Sequence, residues 1–272
     1  MISVVINADT RDGFDAPSSE SEGLFHGTRA LDYLVCGIEN KRKFLHELEH
    51  EIIVFVDEHN PIPIDTLAHL RALADKLVLS KHSKYYRGSN PFSGFNDINY
   101  LHALSLCRGE YVMHFDQDVA AFSVDSSVVS GHLQILDNGA YKFISLPSAC
   151  TPDPVVDPSY EGKWWASTRF FLTKRPTALE HAIREPQWAY ATYGQTPRRN
   201  PWMEHMLTLT AGHSVLYPPI DLSKWAVFPW AKYKAGTLST LHGMTHDQVA
   251  EALRRAGGLP YDGVDCHLLG LP

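Results

Sequence analysis

Two aspartates at the end of an apolar run are the first residues whose spacing suggests chemistry. Asp116 and Asp118 follow the run Tyr111–Phe115 and are separated by Gln117 alone. Residues two apart on an extended chain point to the same side, so these carboxylates are close enough to bind one cation. Mg²⁺ and Mn²⁺ are typically bound by one or two carboxylates together with substrate phosphates and water. The pair therefore predicts a metal–diphosphate site, whereas the same pair taken alone is more often a solvated acidic turn.

The elements around these aspartates predict a mostly parallel sheet. Apolar, β-branched runs over residues 2–6, 52–56, 77–79 and 111–115 are predicted strands. Helical spacing of apolar residues separates them, first after Thr28, then after Asp65, and again over residues 97–107. Alternating strands and helices favour right-handed βαβ units. We expect an α/β fold with a mostly parallel central sheet flanked by helices.

Acidic residues stand at the ends of three predicted strands. Asp9 closely follows the first strand, Asp57 the second, and Asp116 and Asp118 the fourth. Ligands of open α/β sheets bind beyond the carboxyl ends of the strands. Three acidic strand ends at one edge of the sheet therefore predict a ligand site there.

The sequence changes character after residue 146. Four prolines lie between residues 147 and 158, and all six tryptophans lie in the second half of the chain. We interpret this half as long loops and helices laid against the sheet, with a C-terminal helix that begins near the capping box Thr245–Gln248. No linker divides the chain, so residues 1–272 are expected to form a single domain.

Composition excludes several classes of protein. The chain of 272 residues has 24 basic and 31 acidic side chains and a net charge of −7, which disfavours binding to nucleic acid or to anionic membranes. Its four cysteines form no CxxC pair, as is typical of free thiols in a reducing compartment. The apolar run at the N-terminus is too short for a signal peptide or a membrane span. We expect a cytoplasmic protein without a transmembrane segment.

A competing motif lies at His46–His50, which satisfies the HExxH pattern of zinc proteases and, read differently, HxxEH. A zincin helix is buried beside its metal, whereas this segment follows the basic run Lys41–Lys43 and leads within two residues into the second strand. We interpret the motif as a charged, solvated helix end. A zinc hydrolase is kept as the least favoured hypothesis for function.

Several segments, in the same order along the chain, resemble family 2 glycosyltransferases with the GT-A fold. Ile2–Ile6 resembles their opening strand, and Glu51–Asp57 their second strand with its nucleotide-binding aspartate. Arg108–Asp118 is similar to their Gly-Glu-Tyr strand and Asp-x-Asp motif. Thr168–Phe171 resembles the segment that introduces the acceptor side, and Pro201–His205 the acidic start of a later helix. The resemblance covers about residues 1–220.

This resemblance implies a single GT-A (Rossmann-like) domain. Residues 1–146 would be its nucleotide-sugar-binding half, and residues 147–272 its aromatic-rich acceptor half with the C-terminal helix. The implied activity is metal-dependent transfer of a sugar from a nucleotide diphosphate to an acceptor hydroxyl, with inversion. A UDP-sugar is the expected donor because Asp57 can accept a hydrogen bond from uracil N3–H, and a glycan or small molecule is the expected acceptor.

The resemblance also assigns roles to individual residues. It implies Mn²⁺ or Mg²⁺ on Asp116 and Asp118, with His242, or alternatively His213, as a further ligand. The residues expected to contact the nucleotide sugar are Asn7, Ala8, Asp9, Asp57, Asp116, Gln117 and Lys234.

Glu204 is the implied catalytic base, since a carboxylate can take the proton of the attacking hydroxyl. Two positions depart from the family pattern. His205 stands where the family more often has aspartate, and the segment Asn7–Arg11 replaces the usual Pro-Thr-Tyr-Asn. The base therefore stays open between Glu204 and His205. The second hypothesis for function is a non-catalytic nucleotide-sugar or glycan-binding protein on the same fold.

Overall fold

A seven-stranded sheet organises the part of the chain that the computed structural model describes. The described residues are 1–9, 30–57, 62–80, 102–117, 119–123, 125–145, 170–183, 214–216, 218 and 224–229. The strand order in this sheet is β3-β2-β1-β4-β7-β6-β8, and β5 and β9 form a second, two-stranded sheet.

The first half of the sheet alternates strands with helices. Its four strands are parallel to their neighbours and follow the order β3-β2-β1-β4. These strands are β1 (Ile2–Asp9), β2 (His50–Asp57), β3 (Lys76–Ser80) and β4 (Tyr111–Asp116). The helices between them are α1 (Ala30–Phe44), α2 (Ile64–Leu73) and α3, of which residues 102–106 are described.

The second half of the sheet contains its one reversed strand. The elements of this half are β6 (Phe143–Ser145), β7 (Phe170–Lys174), α5 (Arg175–Ile183) and β8 (Val215–Leu216). Strand β7 is antiparallel to both β4 and β6, and β8 is parallel to β6, so the other six described strands of this sheet all run in the same direction. The predicted α/β fold with a mostly parallel, Rossmann-like sheet is confirmed.

The second half of the chain does more than cover the sheet with loops and helices, and that expectation is corrected. Strand β7 pairs directly with β4, and Phe115 lies opposite Phe170 in the register. Three consecutive residues, Phe170–Leu172, are fully buried, because both faces of the sheet are covered at this position. A run this short does not predict a central strand by its sequence pattern alone.

Helices cover both faces of the sheet, as expected. On one face, alternate residues Val4 and Ile6 of β1 belong to the same apolar core as Leu34 and Ile38 of α1. On the other face, Val5 belongs to a core with Ala103 and Leu104 of α3 and Ala178 of α5. The strict alternation along β1 follows from the two-residue period of a strand.

The two-stranded sheet lies beside α1. It pairs β5 (Val119–Ser123) antiparallel with β9 (Trp225–Pro229). Trp225 is buried against Phe44 of α1 and Phe170 of β7, with ring centroids 5.5 and 6.2 Å away. Helix α4 (Ser126–Asp137) follows β5, and the side chain of Asp125 caps it by accepting a hydrogen bond from the backbone of Ser127 at 2.8 Å.

No helix in the described part of the chain is long and apolar enough to cross a membrane.

Candidate functional site

The carboxyl ends of β1, β2 and β4 bring six of the predicted site residues to one edge of the sheet. Asn7, Ala8 and Asp9 are the last three residues of β1, Asp57 ends β2, and Asp116 ends β4. The register pairs Asp9 with Asp57 and Asn7 with Asp116. Gln117 follows at once, and its backbone N–H donates to the carbonyl of Asn7 at 3.0 Å.

This edge is also a topological switch point. The chain leaves β1 towards β2 and β3 on one side, and it returns to β4 on the other side of β1. Connections that diverge in this way leave a crevice beyond the ends of the two strands, where open α/β sheets bind ligands. Asn7 and Asp116 lie on the two strands that border the crevice, on the same face of the sheet, because parallel strands in register align their side chains.

The side chain of Asn7 forms a hydrogen bond with the buried ring of His114, which the sequence patterns did not indicate as a site residue. Asn7 Nδ2 lies 3.0 Å from His114 Nε2. The His114 ring is 1% exposed and stacks on Phe171 at 5.1 Å with an interplanar angle of 7°. The only available signal was the presence of one histidine in the otherwise apolar strand Tyr111–Phe115.

The oxygen of the same amide, Asn7 Oδ1, is buried and has no hydrogen-bond partner. Buried polar atoms are normally paired, so an orphaned acceptor at a strand end is a place where a ligand, ion or water is expected. Amide oxygens and carboxylates are the hard donors that Mg²⁺ and Mn²⁺ prefer. Asn7, the register partner of Asp116, therefore fits the predicted metal through its Oδ1, although no group of three ligand side chains occurs among the described residues.

Helix α1 closes the site from the opposite face. A Cβ on Gly37 would lie 3.5 Å from the carbonyl oxygen of Gln117, so α1 passes close to the backbone that follows β4. One turn further along, Lys41 is 1% exposed. The sequence pattern is typical of a solvated basic run, but only Lys43 of Lys41–Lys43 is exposed, whereas Lys41 is buried.

The remaining predicted site residues lie outside the described residues. These are the predicted metal ligands Asp118 and His242, the predicted base Glu204 and the predicted diphosphate contact Lys234. The two open alternatives, His205 and His213, lie outside as well. Their roles stay predictions.

The HExxH segment lacks the geometry of a zinc site. Helix α1 ends at Phe44, the following residues form a turn, and His50 begins β2. The two histidines therefore do not share a helical face, and the expected helix end is a turn instead. His46 Nδ1 is 3.0 Å from the carbonyl of Lys43, and His50 Nδ1 is 2.7 Å from that of Leu48. Both rings are held by local backbone contacts.

No protein-family model matches the sequence, and no curated protein is significantly similar to it. Among solved structures, the chain is similar to the galactosyltransferase LgtC in complex with donor and acceptor sugar analogs, with a TM-score of 0.48, 10% identity, and coverage of 79% of this chain and 72% of that one. It is similar to S. aureus TarS 1-349, with a TM-score of 0.49, 10% identity, and coverage of 97% and 72%.

A cytidylyltransferase from Leptospira borgpetersenii serovar Hardjo-bovis has a TM-score of 0.43, 13% identity, and coverage of 97% of this chain and 98% of that one. Because these TM-scores are all below 0.5, no activity of this chain follows from the likenesses. GT-A-type glycosyltransferases are among the structures that this chain resembles, together with nucleotidyltransferases.

Proposed function

We propose that this protein is a metal-dependent glycosyltransferase. It transfers a sugar from a nucleotide diphosphate, with UDP-sugar as the donor, to the hydroxyl of a glycan or small-molecule acceptor, with inversion at the sugar carbon. The observation that carries the proposal is the pairing of Asn7 with Asp116 across the switch point between β1 and β4. Asp116 is there the register partner of a residue whose amide oxygen has no hydrogen-bond partner, at the edge where α/β sheets bind nucleotides.

The protein's own residues divide the work of binding the donor. Asp57 at the end of β2 accepts from the base, Gln117 and the end of β1 border the diphosphate, and Lys234 contributes positive charge. Asp116 and Asp118 hold Mn²⁺ or Mg²⁺, with His242 as a further ligand. The bound cation supplies neutralisation of the negative charge that develops on the leaving diphosphate.

The acceptor side needs a base. Glu204 takes the proton of the acceptor hydroxyl as its oxygen attacks the sugar carbon, and the bond to the diphosphate breaks on the opposite side of that carbon. The electron pair of the broken bond leaves with the nucleotide.

Donor hydrolysis and transfer, measured over a panel of nucleotide sugars with Mn²⁺, Mg²⁺ or EDTA, test the proposal. Turnover that EDTA abolishes supports it. Binding of UDP without any turnover supports instead the non-catalytic nucleotide-sugar-binding protein. If the protein shows no binding and no turnover, both hypotheses are contradicted, and the crevice must bind a different ligand.

Variants of the site test its geometry by calorimetric titration of UDP with Mn²⁺. Asp118→Ala is expected to abolish metal-dependent binding, and Asp116→Ala to weaken it. Asp57→Asn is expected to reduce affinity for UDP more than for GDP, whereas Asp65→Asn, an exposed residue of α2, is the matched control. Unchanged affinity in Asp118→Ala contradicts the metal assignment, and an equal loss for UDP and GDP contradicts the role of Asp57.

A further inference from the structure

One buried lysine contacts both ends of the segment that carries the site aspartate. Lys41 of α1 is 1% exposed. Its ammonium lies 4.7 Å from the centre of the ring of Phe115, the residue that precedes Asp116 in the sequence. The same ammonium donates a hydrogen bond to the carbonyl of Val119, the first residue of β5. The turn after β4 is therefore bounded on both sides by contacts of a single side chain.

The neighbouring residues of α1 fix the same stretch of backbone. Asn40 is buried, and its side-chain amide forms two hydrogen bonds with the backbone of Ala121. Asn40 Nδ2 donates to the Ala121 carbonyl at 2.8 Å, and Asn40 Oδ1 accepts from the Ala121 N–H at 2.9 Å. Gly37 lies close to the carbonyl of Gln117, which a Cβ at this position would meet at 3.5 Å. From β1, the carbonyl of Asn7 accepts from the N–H of Gln117. Helix α1 and strand β1 thus both contact this stretch.

We propose that Lys41 is a positioning residue for Asp116 and Gln117. It acts through the Val119 carbonyl and the Phe115 ring, and it sets where the Asp116 carboxylate stands relative to Asn7. The inference rests on the proposed function, since a nucleotide diphosphate with its cation is the ligand that this carboxylate would meet.

The contacts of the ammonium account for a lysine at this buried position. Placing an ammonium in the interior costs free energy unless it is paired, so an apolar side chain is the ordinary occupant of such a position. The ammonium reaches a backbone carbonyl that no apolar side chain could satisfy, and it also lies over an aromatic ring. Both contacts are directed at the residues that flank the turn.

Local order in the turn is the first readout. Lys41→Met keeps the length and much of the volume of the side chain but removes the donor to Val119. Hydrogen exchange of residues 111–123 is expected to rise at Gln117 and Ala121 and to stay unchanged at Val112 and Met113 within β4. Lys43→Met, which changes the exposed lysine two residues away, is the matched control and is expected to alter none of these amides. Unchanged exchange at Gln117 in Lys41→Met overturns the inference.

Binding is the second readout. Calorimetric titration of UDP with Mn²⁺ is expected to show about a 10- to 100-fold loss of affinity in Lys41→Met, as the loss of a residue that orients a metal ligand typically produces. Lys41→Arg, which keeps the charge and a donor, is expected to restore most of that affinity. The titration is run well below the unfolding midpoints of all variants, so that a loss of stability alone leaves affinity unchanged. If Lys41→Met only lowers the midpoint, the residue is structural and the inference fails.

The two hypotheses fail in different ways. If the wild-type protein does not bind UDP with Mn²⁺, the proposed function fails, and the exchange of Gln117 still decides whether Lys41 positions the turn. If the wild-type protein binds and Lys41→Met binds equally well, the proposed function survives and the inference is wrong. Should Lys41→Met not fold, Lys41→Gln, which keeps a shorter amide donor, replaces it in both measurements.

Discussion

Ser3 Oγ donates a hydrogen bond to Glu51 Oε1 at 2.7 Å, which ties β1 to β2 at the edge of the sheet opposite the candidate site. Glu51 is 2% exposed and also accepts from the backbone and the guanidinium of Arg108, at 2.7 and 2.9 Å. Lys76 of β3 adds an ion pair at 3.3 Å. This cluster fixes the amino ends of the strands whose carboxyl ends carry the site, and it is structural rather than catalytic.

Glu51→Gln is expected to destabilise the protein by about 2 kcal/mol, because the buried carboxylate loses the charge-assisted hydrogen bonds that it accepts from Arg108 and Lys76. Glu49→Gln is the matched control, since Glu49 lies on the same segment with 79% of its side chain exposed. Urea unfolding of both variants at neutral pH checks the difference. Equal unfolding free energies for the two would show that the cluster contributes little.

The same residue predicts an acid limit. Burial by itself raises the pKa of Glu51, but the hydrogen bonds from Ser3, Arg108 and Lys76 outweigh burial and lower the pKa from 4.5 to about 2. The folded state therefore binds this proton less readily than the unfolded chain. The contribution of Glu51 to stability is full above pH 4.5 and is lost as the pH falls towards 2. Glu51→Gln should lose that part of the acid sensitivity in unfolding curves.

Gly109→Ala is expected to destabilise the protein by about 2 kcal/mol or more, through overpacking. A Cβ at this position would lie 2.6 Å from the backbone nitrogen of Ser3 and 2.9 Å from the carbonyl carbon of Ile2, so the backbone must shift. Gly131→Ala in α4 has no atom within 4 Å of the new methyl group. That variant is expected to gain about 0.5–1 kcal/mol from helix propensity. Thermal unfolding measures both, and shifts of the same sign would contradict the prediction.

His132 predicts a second pH dependence, in a higher window. Burial lowers the pKa of His132 from 6.5 to about 4, and its ring packs edge-to-face with Trp225, with the ring centroids 4.5 Å apart. The unfolded chain takes up this proton as the pH falls below 6.5, whereas the folded protein resists it until about pH 4. Its contribution to stability is therefore complete above pH 6.5 and is lost on acidification, by about 3 kcal/mol in all.

His132→Leu should remove this dependence. The unfolding free energy of the variant is expected to fall less between pH 6.5 and pH 4 than that of the wild type. His46→Leu, with a side chain that is 61% exposed, is the control and should leave the dependence intact. A wild-type profile that is already flat in this window would contradict the burial of a neutral histidine.

Glu204→Gln is expected to keep UDP-sugar affinity and to lose transfer by about 10²- to 10⁴-fold, as the loss of a general base does. His205→Ala should lose much less, because adjacent residues of a helix point about 100° apart and would not serve the same proton. Single-turnover transfer rates with parallel binding measurements separate the two effects. A dead His205→Ala beside an active Glu204→Gln would assign the base to the histidine.

The sequence by itself determined the parallel half of the sheet. The runs that became β1, β2 and β4 are mainly apolar and rich in β-branched and aromatic residues, and strands buried on both faces have that pattern. Their acidic ends were equally visible, because a strand must stop where the chain becomes polar. Because helices alternate with these strands, the strands are parallel, and Asp9, Asp57 and Asp116 lie at the same edge of the sheet.

Only the tertiary structure decided what surrounds those acids. The Phe170–Leu172 run is too short to show that it pairs with β4, and Lys41 lies in a basic run that is typical of a solvated helix end. The bond between Asn7 and His114 joins residues 107 positions apart, which no local period can indicate. Long-range pairing and burial depend on which elements pack together, and the packing of the whole chain settles that rather than any one segment.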